Sequence, residues 1–591
     1  MVSVPSNGMS RRSLLFVAIF LATVSLILSV SGGFATTLQG IRLSARSPIP
    51  SLAAAIAACL AWLALAWRAR AVTRDLEHVD NWLSRRASMI ALVIAGLAAA
   101  VTLQFSTFSA SGSDASGYLS QADMLWGWQI MRAEPLASVA QWTNAAATLT
   151  PLGWSPAREN GFQVPTYAPG LPLLMAPLHA LGGAIAASLV PAVSFFIVVC
   201  ATAALALRLS GALAALIAAV WIASSPVALI EAMQPMSDVP VTAMWLVCWI
   251  LVMPWGRAGY GRALLGGLVA AVAVLIRPNL APLAVVPALC LFFKNDQKSS
   301  PWHAVMAFAS PVALAGVLVA YLQWRWFGSP LRSGYGTAGE IYAIANVPPN
   351  AALYFRWLLE THGPWLLAAP GALILPGGRF VRWLLLFAAA VVAAYLVYSV
   401  FEVWTYLRFM LPALAIAIVL VASLVAELLS RAPVSGRPLA IIIVVFGLAA
   451  TNLTAAQSHG VFRLATQQSR AALAGRYLAG SIPAHGVVIA GEQSGSMRYY
   501  TGRSIVRWDF ATAVALTVVL DQLSRAGHEI WIALDTWEEE PFRRKFPGVG
   551  AAALDWPPRV EAGTEMLMRV WRLRDREPFM RGESYATDRL R

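Results

Sequence analysis

Carboxylates and guanidinium groups flank several apolar segments of this chain, where the acids could accept a proton and the arginines could bind phosphate. Asp114 follows the apolar stretch 88 to 106, and Asp238 lies in EAMQPMSDVP between two further apolar stretches. Arg277 interrupts VLIRPNLAPL, and Arg408 lies in VWTYLRFMLPAL. Ionisable side chains at a membrane boundary are costly to desolvate, so they are candidates for function. Together these residues indicate proton transfer beside a bound anion.

Each of these residues also has a purely structural interpretation. Asp114, in SDAS, and Asp238, before Val-Pro, are both in positions typical of a helix N-cap. Arg277 and Arg408 lie near the ends of apolar segments, where arginine commonly extends its charge to the lipid headgroups. Two arginines on the same face as the acids nevertheless favour a phosphate site, because guanidinium offers paired donors to phosphate oxygens. Two further acids on this face are Asp123 and Glu231.

The elements that position these residues follow from the composition, since 58% of the 591 residues are hydrophobic and 12% are charged. Long apolar runs recur along the chain. They are too long for strands and mostly long enough to cross a bilayer, so a polytopic α-helical membrane protein is predicted. We expect about thirteen spans. They lie near residues 13 to 32, 50 to 67, 88 to 106, 184 to 207, 211 to 230, 239 to 255, 262 to 276, 279 to 293, 303 to 323, 363 to 377, 382 to 400, 408 to 428 and 438 to 455.

Basic residues orient the spans, because short loops rich in Lys and Arg stay on the cytoplasmic side. With the N-terminus inside, the cytoplasmic loops hold Arg11, Arg12, Arg68, Arg70, Arg74, Arg85, Arg86, Arg208, Arg257, Arg262, Lys294, Lys298, Arg379, Arg382, Arg431 and Arg437. The outside segments are longer and hold fewer basic residues, namely Arg42, Arg46, Arg132, Arg158, Arg277, Arg325, Arg332, Arg356 and Arg408. The C-terminal tail is then extracytoplasmic, and the expected location is a bacterial inner membrane.

The net charge and the cysteines exclude some other classes of protein. The formal charge of +14 does not indicate nucleic-acid binding, because the basic residues are spread over loops and tail instead of forming one face. Cys59, Cys200, Cys248 and Cys290 all fall within predicted spans, so they indicate neither a disulfide framework nor a metal site. The first span lacks a convincing cleavage site and is expected to stay as a helix.

Three regions are expected along the chain. Residues 1 to 87 hold the extra N-terminal spans and a cytoplasmic loop, residues 88 to 455 hold the main transmembrane module, and residues 456 to 591 form an extracytoplasmic α/β domain. Within the first outer segment, 107 to 183, a helix from 118 to 131 is expected along the interface, and TYAPGLPLLMAPLHALGG predicts a turn and a short surface helix.

The tail has a mixed pattern of strands and helices. Its predicted strands are VVIAG, SIVRW, IWIAL and MLMRVWRL, and its predicted helices are residues 511 to 526 and 537 to 546. A disordered end is expected from about residue 576. The glycine cluster GEQSGSMRYYTG lacks a phosphate-loop lysine and the dinucleotide-binding spacing, so it predicts a turn before a helix.

Several features in a fixed order resemble one superfamily. They are the acidic first outer loop, PTYAPGLPLLMAPLHALGG, the MSDVP turn, the LIRPN junction and YLRFMLPALA. In order and membrane side they resemble the GT-C membrane glycosyltransferases, closest to the protein-mannosyltransferase and aminoarabinose-transferase type, in the bacterial branch grouped with the lipopolysaccharide-core galacturonosyltransferases. The likeness covers roughly residues 88 to 455 and, less specifically, the α/β tail.

The resemblance implies a sugar donor carried on a polyprenyl phosphate, an extracytoplasmic active site and inversion at the sugar carbon. It implies that Asp114 is the general base and that Asp238 is a supporting acid. The expected donor-phosphate contacts are Arg277, Arg408, Tyr335 and His362. Tyr118 and Tyr167 would shape the sugar pocket, although both are equally typical of interfacial aromatic residues.

Some questions stay open at this stage. Many members of the superfamily have an Asp-Glu pair in the first loop, whereas Ala115 follows Asp114 here, which leaves open whether a divalent metal takes part. No other cofactor is expected. The acceptor would be an envelope glycolipid, a polysaccharide or a protein hydroxyl, and the partners would be membrane lipids instead of nucleic acid. A transporter or lipid flippase, a non-catalytic assembly protein for envelope polysaccharide, and a lipid-linked polymerase or ligase are the alternatives.

Overall fold

A computed structural model describes residues 8–31, 34–38, 41–45, 47–253, 260–293, 300–432 and 437–591. It is an α-helical membrane protein with a C-terminal α/β region, which confirms the predicted fold class. Four residues used above to orient the spans lie outside the described residues, namely Arg46, Arg257, Lys294 and Lys298.

The N-terminal part and the first outer segment contain five helices and two small antiparallel sheets. They are α1 (Gly8–Ser31), β1 (Phe34–Leu38), β2 (Ile41–Ala45), α2 (Ile49–Arg68), α3 (Val72–Gln104), α4 (Gly112–Trp126), β3 (Arg132–Ala133), α5 (Ala145–Thr148), β4 (Trp154–Pro156) and β5 (Phe162–Pro165). Strand β1 pairs with β2, and β5 lies between β3 and β4. These two outer sheets are short, so the first outer segment depends on its neighbours for packing.

The transmembrane module follows. Its α-helices and strands are α6 (Gly170–Ala187), α7 (Leu189–Ala223), α8 (Pro226–Ala232), α9 (Asp238–Val252), α10 (Tyr260–Ile276), α11 (Val285–Phe292), α12 (Pro301–Phe327), β6 (Arg332–Ser333), β7 (Gly336–Thr337), α13 (Ala338–Ile341), α14 (Val347–His362), α15 (Gly378–Leu396), α16 (Leu411–Ser430) and α17 (Arg437–Ser458). Longer 3-10 segments cover Pro278–Ala284, Pro364–Ile374 and Trp404–Met410. Helices α7, α9 and α16 are apolar on all sides and largely buried, which places them at the centre of the bundle.

The predicted spans correspond to helical segments. Within the described residues, eight helices are long and apolar enough to cross a membrane, and four shorter apolar helical segments accompany them. The predicted spans 184 to 207 and 211 to 230 meet in α7, where Ser210 and Gly211 leave helical geometry. Gly211 has φ +83°, a conformation that favours glycine.

Helix α6 agrees in part with its prediction. The sequence predicts a turn and a short helix that ends at the Gly-Gly pair, and α6 does leave helical geometry there, although the whole element Gly170–Ala187 is long and apolar enough to span. Pro177 lies inside the helix without ending it, and the break comes later at Gly182 and Gly183. Proline is tolerated there because neighbouring helices in a membrane bundle compensate for the lost hydrogen bond.

The tail forms a six-stranded sheet with helices. Its elements are α18 (Leu464–Ser481), β8 (Val487–Ala490), α19 (Ser494–Thr501), β9 (Ser504–Arg507), α20 (Ala513–Arg525), β10 (Ile530–Asp535), α21 (Thr536–Lys545), β11 (Val560–Ala562), β12 (Met568–Arg572), α22 (Arg576–Met580) and β13 (Asp588–Leu590). The strand order is β13-β11-β12-β10-β8-β9, with β10, β8 and β9 parallel. All the predicted strands are present.

The prediction of a disordered end from residue 576 is wrong. Helix α22 and strand β13 occupy this segment, and β13 pairs with β11 in parallel at the sheet edge. The Tyr585 hydroxyl donates to the Pro557 carbonyl at 2.6 Å, and the Arg559 guanidinium lies 3.9 Å from the Tyr585 ring centre. Backbone pairing to an edge strand holds this polar segment, and composition alone does not reveal such pairing.

Candidate active site

The charged residues singled out in the sequence meet at one end of the helix bundle. Helices α3 and α10 end on this side, shortly before Asp114 and Arg277 respectively. Helices α9 and α16 begin on the same side, with Asp238 as the first residue of α9 and Arg408 just before α16. Helix ends thus bring together side chains that are up to 294 positions apart in the chain.

Arg408 is the centre of the cluster. Its Nη2 donates to Asp114 Oδ2 at 2.9 Å, its Nη1 lies 3.8 Å from Glu231 Oε1, and its Nε lies 3.9 Å from Asp238 Oδ2. The side chains of Glu231 and Asp238 are fully buried, and that of Arg408 is 12% exposed. Buried charges of this kind persist only when they are paired, so Arg408 and the three acids stabilise each other's charges.

Arg277 forms a second polar centre beside the first. Its Nη2 contacts Asp238 Oδ1 at 2.7 Å, its Nε donates to Ser237 Oγ at 3.0 Å, and its Nη1 donates to the Tyr395 hydroxyl at 3.0 Å. Asp238 therefore connects both arginines. The N-cap residue of α9 is Ser237, so the helix-capping interpretation of Asp238 does not hold, and the Asp238 carboxylate pairs with guanidinium groups instead.

Asp114 differs from the other two acids because its side chain is 28% exposed. Its Oδ1 accepts a hydrogen bond from the Tyr167 hydroxyl at 2.7 Å. Tyr118 packs against Tyr167 with ring centres 4.4 Å apart and donates to Ser237 Oγ at 3.0 Å. Burial raises the pKa of Tyr118 and of Tyr167, so both hydroxyls stay protonated and act as donors. Of the three acids, Asp114 is thus the one that a substrate can reach.

A cavity of about 380 Å³ opens onto this cluster. Among its described lining residues, Asp114 is the one acid, and the three basic side chains are Arg277, Arg408 and Arg507. Arg507 comes from strand β9 of the tail, so the tail helps to enclose the cavity. Arg277 is paired with Asp238 and Arg507 with Asp509, but in the cavity wall itself the guanidinium groups outnumber the carboxylates. Such a wall can attract an anionic group. We refer to this space as the polar cavity.

An apolar groove of about 680 Å³ adjoins the polar cavity. The two spaces share Tyr167, Pro278, Asn279, Tyr335 and Tyr398 among their lining residues. The rest of the groove lies along α12, the Pro278–Ala284 segment and the end of α15, and its lining is predominantly apolar. A long hydrocarbon chain fits such a groove while a polar headgroup occupies the cavity.

The structure brings most of the predicted site residues together. Asp114, Tyr118, Tyr167, Arg277, Tyr335 and Arg408 line the polar cavity. Asp238 lies directly behind them. Tyr335 is the most open of these, with 55% of its surface exposed.

His362 is not brought to the cavity. It ends α14 and is buried, with Nε2 at 2.8 Å from Ser225 Oγ and Nδ1 at 2.8 Å from Thr361 Oγ1. Both ring nitrogens are therefore engaged by hydroxyl groups elsewhere in the bundle. The expectation that His362 contacts a donor phosphate does not fit this position.

Some members of the site were not found from the sequence. Ser237 and Tyr395 orient Arg277, and Arg507 reaches the cavity from the tail. Ser237 lies in the MSDVP turn already singled out, so its neighbourhood carried a signal. Tyr395 lies in an ordinary apolar helix and Arg507 in a predicted strand, where nothing local marks them.

A metal site would require several ligating side chains that face one point. In the parts of the chain that the structure describes, no group of three or more His, Cys, Asp or Glu side chains is arranged in this way. Asp114, Glu231 and Asp238 instead surround the guanidinium group of Arg408.

Comparisons with known proteins give structural matches only. No family model and no curated protein sequence matches the chain. The chain is similar to ArnT from Cupriavidus metallidurans bound to undecaprenyl phosphate, at 12% identity and a TM-score of 0.48, over 82% of this chain and 97% of that one. It is also similar to an oligosaccharyltransferase from Archaeoglobus fulgidus, at 12% identity and a TM-score of 0.48, over 82% and 74%.

A third match is the arabinofuranosyltransferase AftD from Mycobacteria, at 15% identity and a TM-score of 0.45, over 81% of this chain and 41% of that one. All three matches have sequence identities of 12 to 15% and TM-scores below 0.5.

Proposed function

We propose that this protein is an inverting glycosyltransferase that uses a sugar donor linked to polyprenyl phosphate. The acceptor is a hydroxyl group of an envelope glycolipid, a polysaccharide or a protein, on the extracytoplasmic face of a bacterial inner membrane. One observation carries the proposal: a cavity with one accessible carboxylate and three arginines adjoins a larger apolar groove. A lipid-phosphate sugar has the same division into a charged head and a hydrocarbon chain.

Asp114 is the proposed general base. It accepts the proton of the acceptor hydroxyl while the hydroxyl oxygen attacks the sugar carbon that carries the phosphate. The bond from that carbon to the phosphate oxygen breaks, and polyprenyl phosphate leaves with the bonding electron pair. Attack from the opposite face inverts the configuration. General base catalysis of this kind contributes roughly 10²- to 10⁴-fold.

The two arginines are proposed to stabilise the leaving phosphate. Within the described structure, Arg408 Nη1 makes no hydrogen bond, because it lies 3.8 Å from Glu231 Oε1, and Nε is buried 3.9 Å from Asp238 Oδ2. Nη1 is therefore the proposed donor to a phosphate oxygen. Preorganised donors are most effective where negative charge develops during the reaction. Glu231 and Asp238 would hold these guanidinium groups against the cavity wall.

The test compares sugar transfer from radiolabelled polyprenyl-phosphate sugars into envelope fractions by wild-type protein and Asp114→Asn. We expect transfer to fall by roughly 10²- to 10⁴-fold because the amide cannot accept the proton. Asp123→Asn is the matched control, since Asp123 lies on the same helix but is 69% exposed and does not line the polar cavity.

The outcomes separate the proposal from its rivals. Loss of transfer in Asp114→Asn with near wild-type transfer in Asp123→Asn supports Asp114 as the base. Equal transfer in all three proteins removes Asp114 from catalysis. No transfer by the wild-type protein, accompanied by movement of a labelled lipid phosphate across a vesicle membrane, would favour a lipid flippase.

A further inference from the structure

The short helix α19 of the tail lies directly on helix α4, which carries Asp114. At Gly495, a Cβ atom would lie 2.3 Å from the Leu152 carbonyl oxygen and 2.4 Å from Ser116 Oγ. Only glycine allows such an approach, so the two segments are in backbone contact. This region of the tail is the GEQSGSMRYYTG cluster, which the sequence predicts as a turn before a helix.

The tail supplies the cap of α4. Ser111 is the N-cap residue, and within the described structure its side chain caps no backbone group of α4 but donates to Gln468 Oε1 of the tail. The backbone N–H of Gly112 donates instead to Gln493 Oε1 at 3.0 Å and to Ser496 Oγ at 3.1 Å. The first N–H groups of a helix need such partners. Here the partners come from a segment 381 and 384 positions away.

The Gln493 side chain is fixed by its other contacts. Its Nε2 donates to Asp535 Oδ2 at 3.5 Å, and Asp535 is paired with Arg470 at 2.6 Å. Gln493 is 2% exposed and Asp535 is fully buried. Because the amide nitrogen faces a carboxylate, the amide oxygen faces Gly112, two positions before Asp114. Buried polar networks with satisfied members hold their geometry tightly.

Two other contacts of α19 attach the tail outside the turn that carries Asp114. Ser494 Oγ accepts from the Leu152 N–H at 3.0 Å, and Arg498 pairs with Glu134 at 2.9 Å in a buried position. These contacts dock the tail onto the outer segment. Gln493 and Ser496 differ from them because their oxygens accept from the first residue of α4.

We propose that Gln493 is a positioning residue for Asp114, so that the tail is part of the active site. This inference rests on the proposed function, in which Asp114 is the general base. Losing the Gln493 oxygen frees the first turn of α4, and the Asp114 carboxylate then moves relative to Arg408 and Tyr167. Small displacements of a catalytic group lower the rate of the chemical step. Donor binding is retained because the arginines and the groove are unchanged.

The experiment uses Gln493→Met in the full-length protein in lipid nanodiscs, because methionine has a similar length and no oxygen acceptor. Gln522→Met is the matched control. Gln522 Oε1 also accepts a backbone N–H of the outer segment, from Gln141 at 3.3 Å, but at a different place in that segment. Transfer kinetics and amide hydrogen exchange are measured on both variants and on the wild-type protein.

We expect kcat of Gln493→Met to fall roughly 10- to 100-fold with little change in the donor KM. Amide exchange should rise in residues 110 to 118 and stay unchanged in residues 141 to 149. Gln522→Met should show neither the loss of kcat nor the rise in amide exchange in residues 110 to 118. If Gln493→Met accumulates poorly, Ser496→Ala removes the other acceptor of the Gly112 N–H and should show the same pattern at smaller size.

Two outcomes overturn the inference. Raised exchange at 110 to 118 with unchanged kcat means that the contact does not position the base. Unchanged exchange with a lowered kcat means that Gln493 acts by another route. A wild-type protein without transfer refutes the proposed function itself, and that result is read independently of the variants.

Discussion

The polar cavity and the apolar groove lie side by side and differ in the chemistry of their walls. The cavity has about 380 Å³ and is controlled by paired charges, whereas the groove has about 680 Å³ and few polar atoms. In the proposed function, the charged groups of the cavity act on the head of the donor, and the groove only surrounds its hydrocarbon chain. Chemistry and lipid affinity are then assigned to separate walls of one site.

The energetics of the two spaces also differ. In the cavity, Arg277 and Arg408 face Asp114, Glu231 and Asp238, so removing either arginine weakens the pairing of buried carboxylates at a cost of several kcal/mol. In the groove, a lipid chain would pass from one apolar environment to another, so it would be held by many small packing contacts whose contributions are graded. Variants in the cavity should therefore act abruptly, and variants in the groove should act gradually.

Arg408→Gln should have the largest effect. The substitution removes the cation that pairs with Asp114 and lies beside the fully buried Glu231, and it leaves the fully buried Asp238 paired with Arg277 alone. We expect a loss of about 3–5 kcal/mol in the free energy of unfolding, since breaking a buried pair leaves uncompensated charge. Sugar transfer should be abolished. Thermal unfolding and transfer assays on the purified protein measure the two effects.

The control for Arg408→Gln is Arg431→Gln. Arg431 is 69% exposed and pairs with Glu427 on the surface of α16 at 3.0 Å. Exposed pairs contribute less than about 1 kcal/mol, so this variant should unfold and react like the wild-type protein. Equal stability of the two variants would contradict the central role of Arg408 in the charge cluster.

Gly316→Leu should have an intermediate effect confined to the groove. A Cβ at Gly316 has no described atom within 4 Å, and the residue lines the groove from helix α12. A leucine side chain would overlap with a lipid chain in the groove, and overpacking costs roughly 1–3 kcal/mol, so the KM for long-chain donors should rise about tenfold. Donors with a short prenyl chain should be affected less, and kcat should not change. Steady-state kinetics with donors of several chain lengths measure this.

Gly96→Leu is the matched control for the groove. Gly96 lies within helix α3, also with no described atom within 4 Å of its Cβ, but away from the groove. The same gain in helix propensity is expected at both positions. A rise in KM that does not depend on chain length, or an equal rise in Gly96→Leu, would remove the groove from lipid binding.

The sequence predicts the helical framework well, and for a physical reason. Membrane spans need long apolar runs, and these can be recognised locally. Asp114, Asp238, Arg277 and Arg408 stand out because charges are rare at the ends of such runs, and the structure places all four in one cluster. Function at these positions stays a proposal until the variants are measured.

The rest depends on contacts between distant segments, which leave no local pattern. His362 lies at a helix end, as several of the other predicted site residues do. It is the last residue of α14, however, and there its side chain contacts Ser225 and does not reach the polar cavity. Gln493 and Arg507 reach the site from the tail, and strand β13 is held by pairing with β11. Helix α6 continues past Pro177 because neighbouring helices in a membrane bundle compensate for an internal proline, which the sequence alone does not reveal.

Tyr335→Phe should have the smallest effect of these variants, and it tests where the polar cavity ends and the apolar groove begins. Tyr335 lines both spaces, and its ring lies 6.1 Å from the Tyr167 ring in an edge-on arrangement. If its hydroxyl donates to the donor phosphate, losing one neutral hydrogen bond costs about 1 kcal/mol and raises the donor KM about fivefold. We expect this result with kcat unchanged, because phenylalanine keeps the wall of the groove. A donor KM that is unchanged in Tyr335→Phe but raised in Tyr335→Ala would mean that Tyr335 contacts only the hydrocarbon chain. The polar cavity would then end closer to Tyr167.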